Sequence, residues 1–204
     1  VLETPIIYQI SEGRLTASNF FDQLPEFLAS ARTAADAGVS AFQIREKRLS
    51  ARWLFELSVR TADILRGSAT KLLVNDRADI AVAAGAAGVH LTAHSIATSV
   101  VRRAFPNLFV AVSTHTKDEA VDAGRGGADL LVFGPVFETP GKGAAVGLDA
   151  LREVVRAVAP VPVAGLGGID YANHRDVLAV ASGIAAIRGL QDPALIAELK
   201  RLKS

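Results

Sequence analysis

The chain has no cysteine and no methionine, and only one tryptophan and two tyrosines among 204 residues. Without cysteine there is no disulfide framework, thiolate zinc site, iron–sulfur cluster or thiol nucleophile, and a cytoplasmic home is the default expectation. Charge of one sign is missing too. The 22 Lys and Arg against 21 Asp and Glu leave a net charge of +1, too little field to hold a nucleic acid or an anionic membrane. No apolar run reaches the roughly 18 to 20 residues that span a bilayer, and the start lacks the basic-then-apolar shape of a signal peptide. Neither nucleic acid nor membrane is therefore expected as a partner. Because the sequence opens at Val1 with no Met anywhere, an initiator is expected to precede it, and an address signal further upstream stays open. No shift of composition marks a linker and no tract is of low complexity, so residues 1–204 are expected to form a single domain.

What is present is alternation. Short runs rich in Val, Ile, Leu and Phe recur, each followed by a stretch with helical spacing of its apolar residues. The runs begin at about Ile6–Gln9, Ala41–Ile44, Leu72–Val74, Gly88–Leu91, Phe109–Val112, Leu130–Phe133, Pro162–Gly165 and Ile184–Ile187, which makes eight. Helices are expected over about Phe20–Ala37, Ala51–Arg66, Asp149–Val158 and Pro193–Leu202. A weak repeat of small residues and Gly precedes every second strand, at Ala37-Gly38, Ala87-Gly88, Gly127-Ala128 and Ser182-Gly183. Such even repetition suits a closed ring better than an open sheet with edges. The expected fold is α/β, a single (β/α)8 barrel of the TIM type, with a doubly wound sheet as the rival.

In such a barrel, chemistry collects at the C-terminal ends of the strands. After the second strand, Gln43-Ile44-Arg45-Glu46-Lys47 would send Gln43, Arg45 and Lys47 to one side by strand alternation, and an amide, a fork and a point charge facing one spot suit phosphate oxygens. A salt bridge at the barrel mouth or a solvated loop would explain the same residues. The third strand ends in Asn75-Asp76-Arg77, where Asp76 is either an oxygen ligand for Mg2+ or the N-cap of the next helix. Ser113-Thr114-His115 follows the fifth strand, and His115 there is a candidate proton shuttle. His90 is read as a core histidine that satisfies a hydrogen bond. The sixth strand leads into a long loop carrying Thr139, Pro140-Gly141 and Lys142, of the kind that closes over substrates. The last two strands end in Gly165-Leu166-Gly167-Gly168-Ile169 and Ile187-Arg188-Gly189. Consecutive glycines let N–H groups approach an anion, although a tight turn alone would also account for Gly167-Gly168.

Taken together, Gln43-Ile44-Arg45-Glu46-Lys47, Asn75-Asp76, Gly88-Val89-His90-Leu91, Ser113-Thr114-His115, Gly127-Ala128-Asp129, Phe133-Gly134-Pro135-Val136-Phe137 with Thr139 and Lys142, and Gly167-Gly168-Ile169 resemble the thiamine phosphate synthase family over nearly the whole chain. That family includes the TenI-like thiazole tautomerases. The resemblance implies a barrel enzyme of thiamin biosynthesis that joins hydroxymethylpyrimidine diphosphate to a thiazole phosphate and releases pyrophosphate, so its partners would be small phosphorylated thiamin precursors. It further implies that Gln43, Arg45, Lys47, Asn75 and Lys142 hold the pyrimidine diphosphate, with Arg45 and Lys142 catalytic through the charge they offer the leaving group, and that Ser113 and Thr139 also bind substrate. Asp76 would hold Mg2+, and Gly167, Gly168, Ile187 and Arg188 would hold the thiazole phosphate. Three departures stand out. Where synthases carry a second metal-binding Asp, this chain has Ser95 in Thr92-Ala93-His94-Ser95; a second loop Thr is Gly141; and a Ser after the last strand is Arg188. These losses also resemble the tautomerase branch, in which His115 would be the acid–base residue and no Mg2+ is needed. A non-catalytic sensor of a thiamin intermediate is the third reading. A homodimer through exposed helix faces is compatible with a barrel of this size.

Overall fold

The computed structural model describes residues 2–141 and 143–203. Eight parallel strands close into a barrel in sequence order, with β1 hydrogen-bonded to β8. They are β1 Ile6–Ile10, β2 Ala41–Ile44, β3 Lys71–Asn75, β4 Gly88–Leu91, β5 Phe109–Thr114, β6 Leu130–Phe133, β7 Val163–Leu166 and β8 Gly183–Ala186. The helices between and after them are α1 Phe20–Asp36, α2 Ala51–Leu65, α3 Ala78–Ala83, α4 Thr98–Ala104, α5 Lys117–Arg125, α6 Gly147–Val158, α7 His174–Leu178 and α8 Pro193–Arg201.

The apolar runs form strands because both of their faces are covered. Alternate residues such as Ile7, Phe42, Ile44, Leu72, Val74 and Val89 pack outward under the helices. Their neighbours Ile6, Tyr8, Ile10, Leu73, Leu130 and Val132 point inward, where Ala41, Ala111, Ala164 and Ala185 make room for them. That large-against-small filling makes the barrel a packed core rather than a pore. Several helices start where a side chain accepts a first-turn N–H: Ser50 from Trp53, Thr116 from Glu119 and Asp192 from Ala194, the last followed by Pro193 at the first helical position.

The expected boundaries need small corrections. β7 and β8 each start one residue off the expected positions, so Pro162 precedes its strand and Ile187 lies beyond its own. Proline cannot donate to a ladder, and Pro162 instead accepts from Leu131 N–H at 3.0 Å through its carbonyl. α6 begins at Gly147, two residues before Asp149, because Gly147 takes φ of 80° and turns the chain into the helix. The glycine repeat turns out to serve two ends. Gly127, at φ 92°, ends a helix, whereas a Cβ on Gly183 would stand 2.2 Å from the Ile6 carbonyl oxygen on the neighbouring strand.

Candidate active site

The mouth at the C-terminal ends of the strands has two unlike sides. On the β2–β5 side, polar side chains project from the wall. Gln43 is buried, and its Nε2 donates to Asn75 Oδ1 at 3.0 Å. Strand alternation stops at Ile44, so the placing of Arg45 and Lys47 follows from the loop rather than from pleating. Burial above all, and then the charges of Arg45 and Lys47, hold the His90 imidazole down at a pKa of about 3, so this ring is neutral. The Arg45 guanidinium makes no hydrogen bond or ion pair among the described residues, so a barrel-mouth salt bridge does not account for it.

Between these two cations sits a residue whose role alternation did not reveal. Glu46 is buried, and its carboxylate accepts from Ser11 Oγ at 2.7 Å, Gly13 N–H at 3.0 Å and Leu15 N–H at 2.8 Å. Ser11 Oγ in turn accepts from Arg45 N–H at 2.8 Å. One carboxylate thus clasps the β1–α1 loop to the β2–α2 loop and fixes the stem from which Arg45 and Lys47 project. The only sequence signal was its acidic character between two cations.

A cavity of about 370 Å3 opens beside this stem, lined among others by Lys47, Asn75, Asp76, Thr92 and His94. Asp76 is exposed and takes φ of 63°, a left-handed conformation that costs a non-glycine residue about 1 kcal/mol. It is not the helix cap. Arg77 occupies that position without a side-chain cap bond, and its guanidinium grips Asp79 at 2.9 and 2.6 Å. Ser95 Oγ accepts from Thr92 N–H at 2.8 Å and so closes the turn, and its neutral hydroxyl offsets none of a divalent ion's charge. Among the described residues no group of three or more His, Cys, Asp or Glu could hold a metal ion. A single exposed carboxylate fits Mg2+ only as an ion that brings most of its ligands with it, as diphosphate oxygens and water.

The β5 end carries Ser113, half-buried, with Oγ 2.7 Å from His90 Nε2. His115 is exposed just past the strand. Its Nδ1 donates to the Gly134 carbonyl at 2.6 Å, which fixes the ring with Nε2 as its other nitrogen.

The β6–β8 side is made of backbone. Gly167 and Gly168 take φ of 101° and 64°. A Cβ on Gly168 would come within 2.7 Å of the Glu138 carbonyl oxygen, so the loop after β6 packs directly onto the pair. Their N–H groups donate to no main-chain carbonyl among the described residues, which keeps them open to an anion. Thr139 donates its hydroxyl to Phe137 O at 3.1 Å and so serves its own loop. Ile187 packs on the inner barrel cluster, and Arg188 is exposed. Lys142 lies outside the described residues.

A closed parallel barrel with cations on one rim and free glycine N–H groups on the other defines a (β/α)8-barrel enzyme. The comparisons narrow this class. A family model described as thiamine monophosphate synthase matches residues 15–190. The thiamine-phosphate synthase of Chloroflexus aurantiacus is 40% identical over 154 residues, covering 74% of this chain and 71% of that protein. That of Moorella thermoacetica is 38% identical over 175 residues, covering 83% of each. Among solved structures, thiamine phosphate pyrophosphorylase from Pyrococcus furiosus superposes with a TM-score of 0.81 at 31% identity, covering 97% of this chain and 94% of that one. The chain belongs to the thiamine monophosphate synthase family. No helix among the described residues is long and apolar enough to cross a membrane.

Proposed function

We propose that the chain is a thiamine-phosphate synthase, joining hydroxymethylpyrimidine diphosphate to thiazole phosphate with release of pyrophosphate. The observation that carries this reading is the pairing of unengaged cations on the β2 stem with unengaged N–H groups at Gly167 and Gly168, which offers two anion sites across one mouth. The relatives named above supply the reaction.

In this reading Gln43, Arg45, Lys47 and Asn75 hold the diphosphate, and Arg45 and Lys47 stabilise the negative charge that grows as the carbon–oxygen bond to pyrophosphate breaks. No proton need move to the leaving group while those charges face it. Asp76 is the residue that would hold Mg2+, and the ion when bound neutralises further charge on the diphosphate. The glycine pair, with the backbone at Ile187 and Arg188, orients the thiazole phosphate so that its ring nitrogen attacks the pyrimidine methylene carbon. Lys142, in the loop after β6, is assigned to the diphosphate by family resemblance.

One observation favours a second reading. The bond from His115 Nδ1 to the Gly134 carbonyl orients the ring and leaves Nε2 as the nitrogen that can exchange a proton with a ligand, which suits a thiazole tautomerase. The test is calorimetric titration with the pyrimidine diphosphate, with and without Mg2+, followed by an assay for thiamin phosphate after adding thiazole phosphate. Mg2+-dependent binding and product formation are expected. Binding of thiazole phosphate without the diphosphate would overturn the synthase and leave the tautomerase, which His115→Ala should then abolish.

A further inference from the structure

Outside the barrel wall, behind the loop that Glu46 clasps, lies a second cavity. It holds about 350 Å3 between the outer faces of β1 and β2, the first half of α1 and Gln191 in the short turn before α8. Ile6 and Tyr8 point into the barrel, whereas Gln9 faces out beside Phe42, its partner in the β1–β2 register. The reaction described above makes no use of this space.

Gln9 is its first anomaly. The layer between strand and helix is otherwise filled here by residues such as Ile7 and Phe42, yet Gln9 carries an amide and is only 7% exposed. Its one bond among the described residues is a 3.5 Å reach from Nε2 to Ser30 Oγ, and Oε1 accepts nothing. A buried amide left half-paired is costly unless something in the cavity completes it. Charge is the second anomaly. Glu12, Glu26 and Glu46 line the cavity against one cation, Arg14, in a chain whose charges nearly cancel. Arg14 and Gln191 are both spent on Glu12, and Glu46 on its three loop donors. Glu26 has no hydrogen bond or ion pair among the described residues. The cavity also has an aromatic wall, where Phe27 and Phe42 meet edge to face at 5.8 Å.

These features ask for one chemistry. An unpaired carboxylate calls for N–H donors that carry positive charge, and an amidinium-like edge meets it with two parallel bonds. Aromatic rings favour a flat cation. A free amide oxygen takes one further N–H. We propose that this cavity binds a small planar organic cation bearing N–H donors, and that its occupant acts on the mouth through Glu46. That carboxylate lines both cavities. The loop it clasps also runs beside Arg45, since a Cβ on Gly13 would stand 3.7 Å from Arg45 Nη1. A cation that orders residues 11–15 thus steadies Arg45 and tightens anion binding at the mouth. The cation site is independent of the function proposed above; only its coupling rests on the diphosphate subsite of that reading.

Benzamidine is the probe, with neutral benzamide as a control of the same shape. In 15N-correlated NMR of the full chain, the Gln9 side-chain amide, identified by its loss in Gln9→Leu, should shift with benzamidine at a Kd of about 1 mM or below. Benzamide should bind at least about tenfold more weakly. Glu26→Gln, an exposed change with no partner to lose, should weaken benzamidine about tenfold. Asp118→Asn, which removes the same charge from the first turn of α5, should leave it unchanged. No shift at Gln9, equal binding of benzamide, binding that survives Glu26→Gln, or an equal loss in Asp118→Asn would overturn the site. With benzamidine saturating, inorganic pyrophosphate should bind about threefold tighter in calorimetry, and an unchanged affinity would overturn the coupling. Pyrophosphate that fails to bind at all, with the Gln9 shift intact, would overturn the diphosphate subsite and the coupling with it, while the shift upholds the cation site.

Discussion

The two sides of the mouth solve the same problem with different materials. From β2 to β5 the site is made of side chains, held by a carboxylate clasp and by the buried Tyr8 hydroxyl against His90. From β6 to β8 it is made of main chain, held by two left-handed glycines against a neighbouring loop. Side chains can be exchanged one at a time, and the departures from the family pattern fall on both sides, at Ser95 after β4 and at Gly141 and Arg188 after β6 and β8. A backbone cradle has no such freedom, since any Cβ at Gly168 collides.

The contrast breaks most sharply at the clasp. Glu46→Ala leaves the Ser11 hydroxyl and the Gly13 and Leu15 N–H groups without their acceptor in a buried setting, and should lower stability by about 3 kcal/mol or more in denaturant unfolding. On the backbone side, Gly168→Ala meets both a positive φ and a 2.7 Å contact. It should cost about 2 to 3 kcal/mol and abolish thiazole phosphate binding by calorimetry. An unchanged titration would move that anion site elsewhere.

The buried histidine gives the side-chain half a pH signature. His90 sits near pKa 3 in the folded protein against an ordinary value of 6.5, so between these values the unfolded chain binds more protons and stability rises with pH. The contribution is complete above pH 6.5 and is lost as pH falls towards 3, at about 1.4 kcal/mol per unit. Unfolding at pH 7 and pH 5 should therefore differ by about 2 kcal/mol more in the native chain than in His90→Gln.

Arg45→Ala separates binding from folding. The guanidinium has no partner to lose among the described residues, so stability should stay within about 0.5 kcal/mol while the diphosphate binds about 30-fold more weakly. A large fall in stability with unchanged affinity would make Arg45 structural. The smallest effect has the opposite sign. Asp76→Gly relieves the φ of 63° and should raise stability by up to about 1 kcal/mol. The same variant should lose any Mg2+ effect on diphosphate binding.

How much of this was legible in the sequence depends on distance along the chain. The strands were readable because each is a local run of branched apolar residues, and Arg45 and Lys47 because they follow one such run directly. The glycine pair was readable as a feature, but half of its reason, the loop carrying Phe137 and Glu138, lies on another strand's connection. Glu46 reaches partners 31 to 35 residues away. Tyr8 looked like one more wall residue in Ile6–Gln9, and its partners are 35 and 82 residues off. Asp76 reads equally as a cap or as a metal ligand in the sequence, and the cap is removed only by the helix register, which puts Arg77 at that position.

The pairing of β1 with β8 also has a consequence in time. Ile6 bonds into register with Gly183, and Gln9 with Ala186. A ribosome making this chain releases the first strand before the other seven, and its second neighbour, β8, after all of them. Throughout that interval one flank of β1 is an open ladder, able to recruit any passing strand. A message broken before Gly183 would yield a ribbon with two adhesive margins in place of a ring with none.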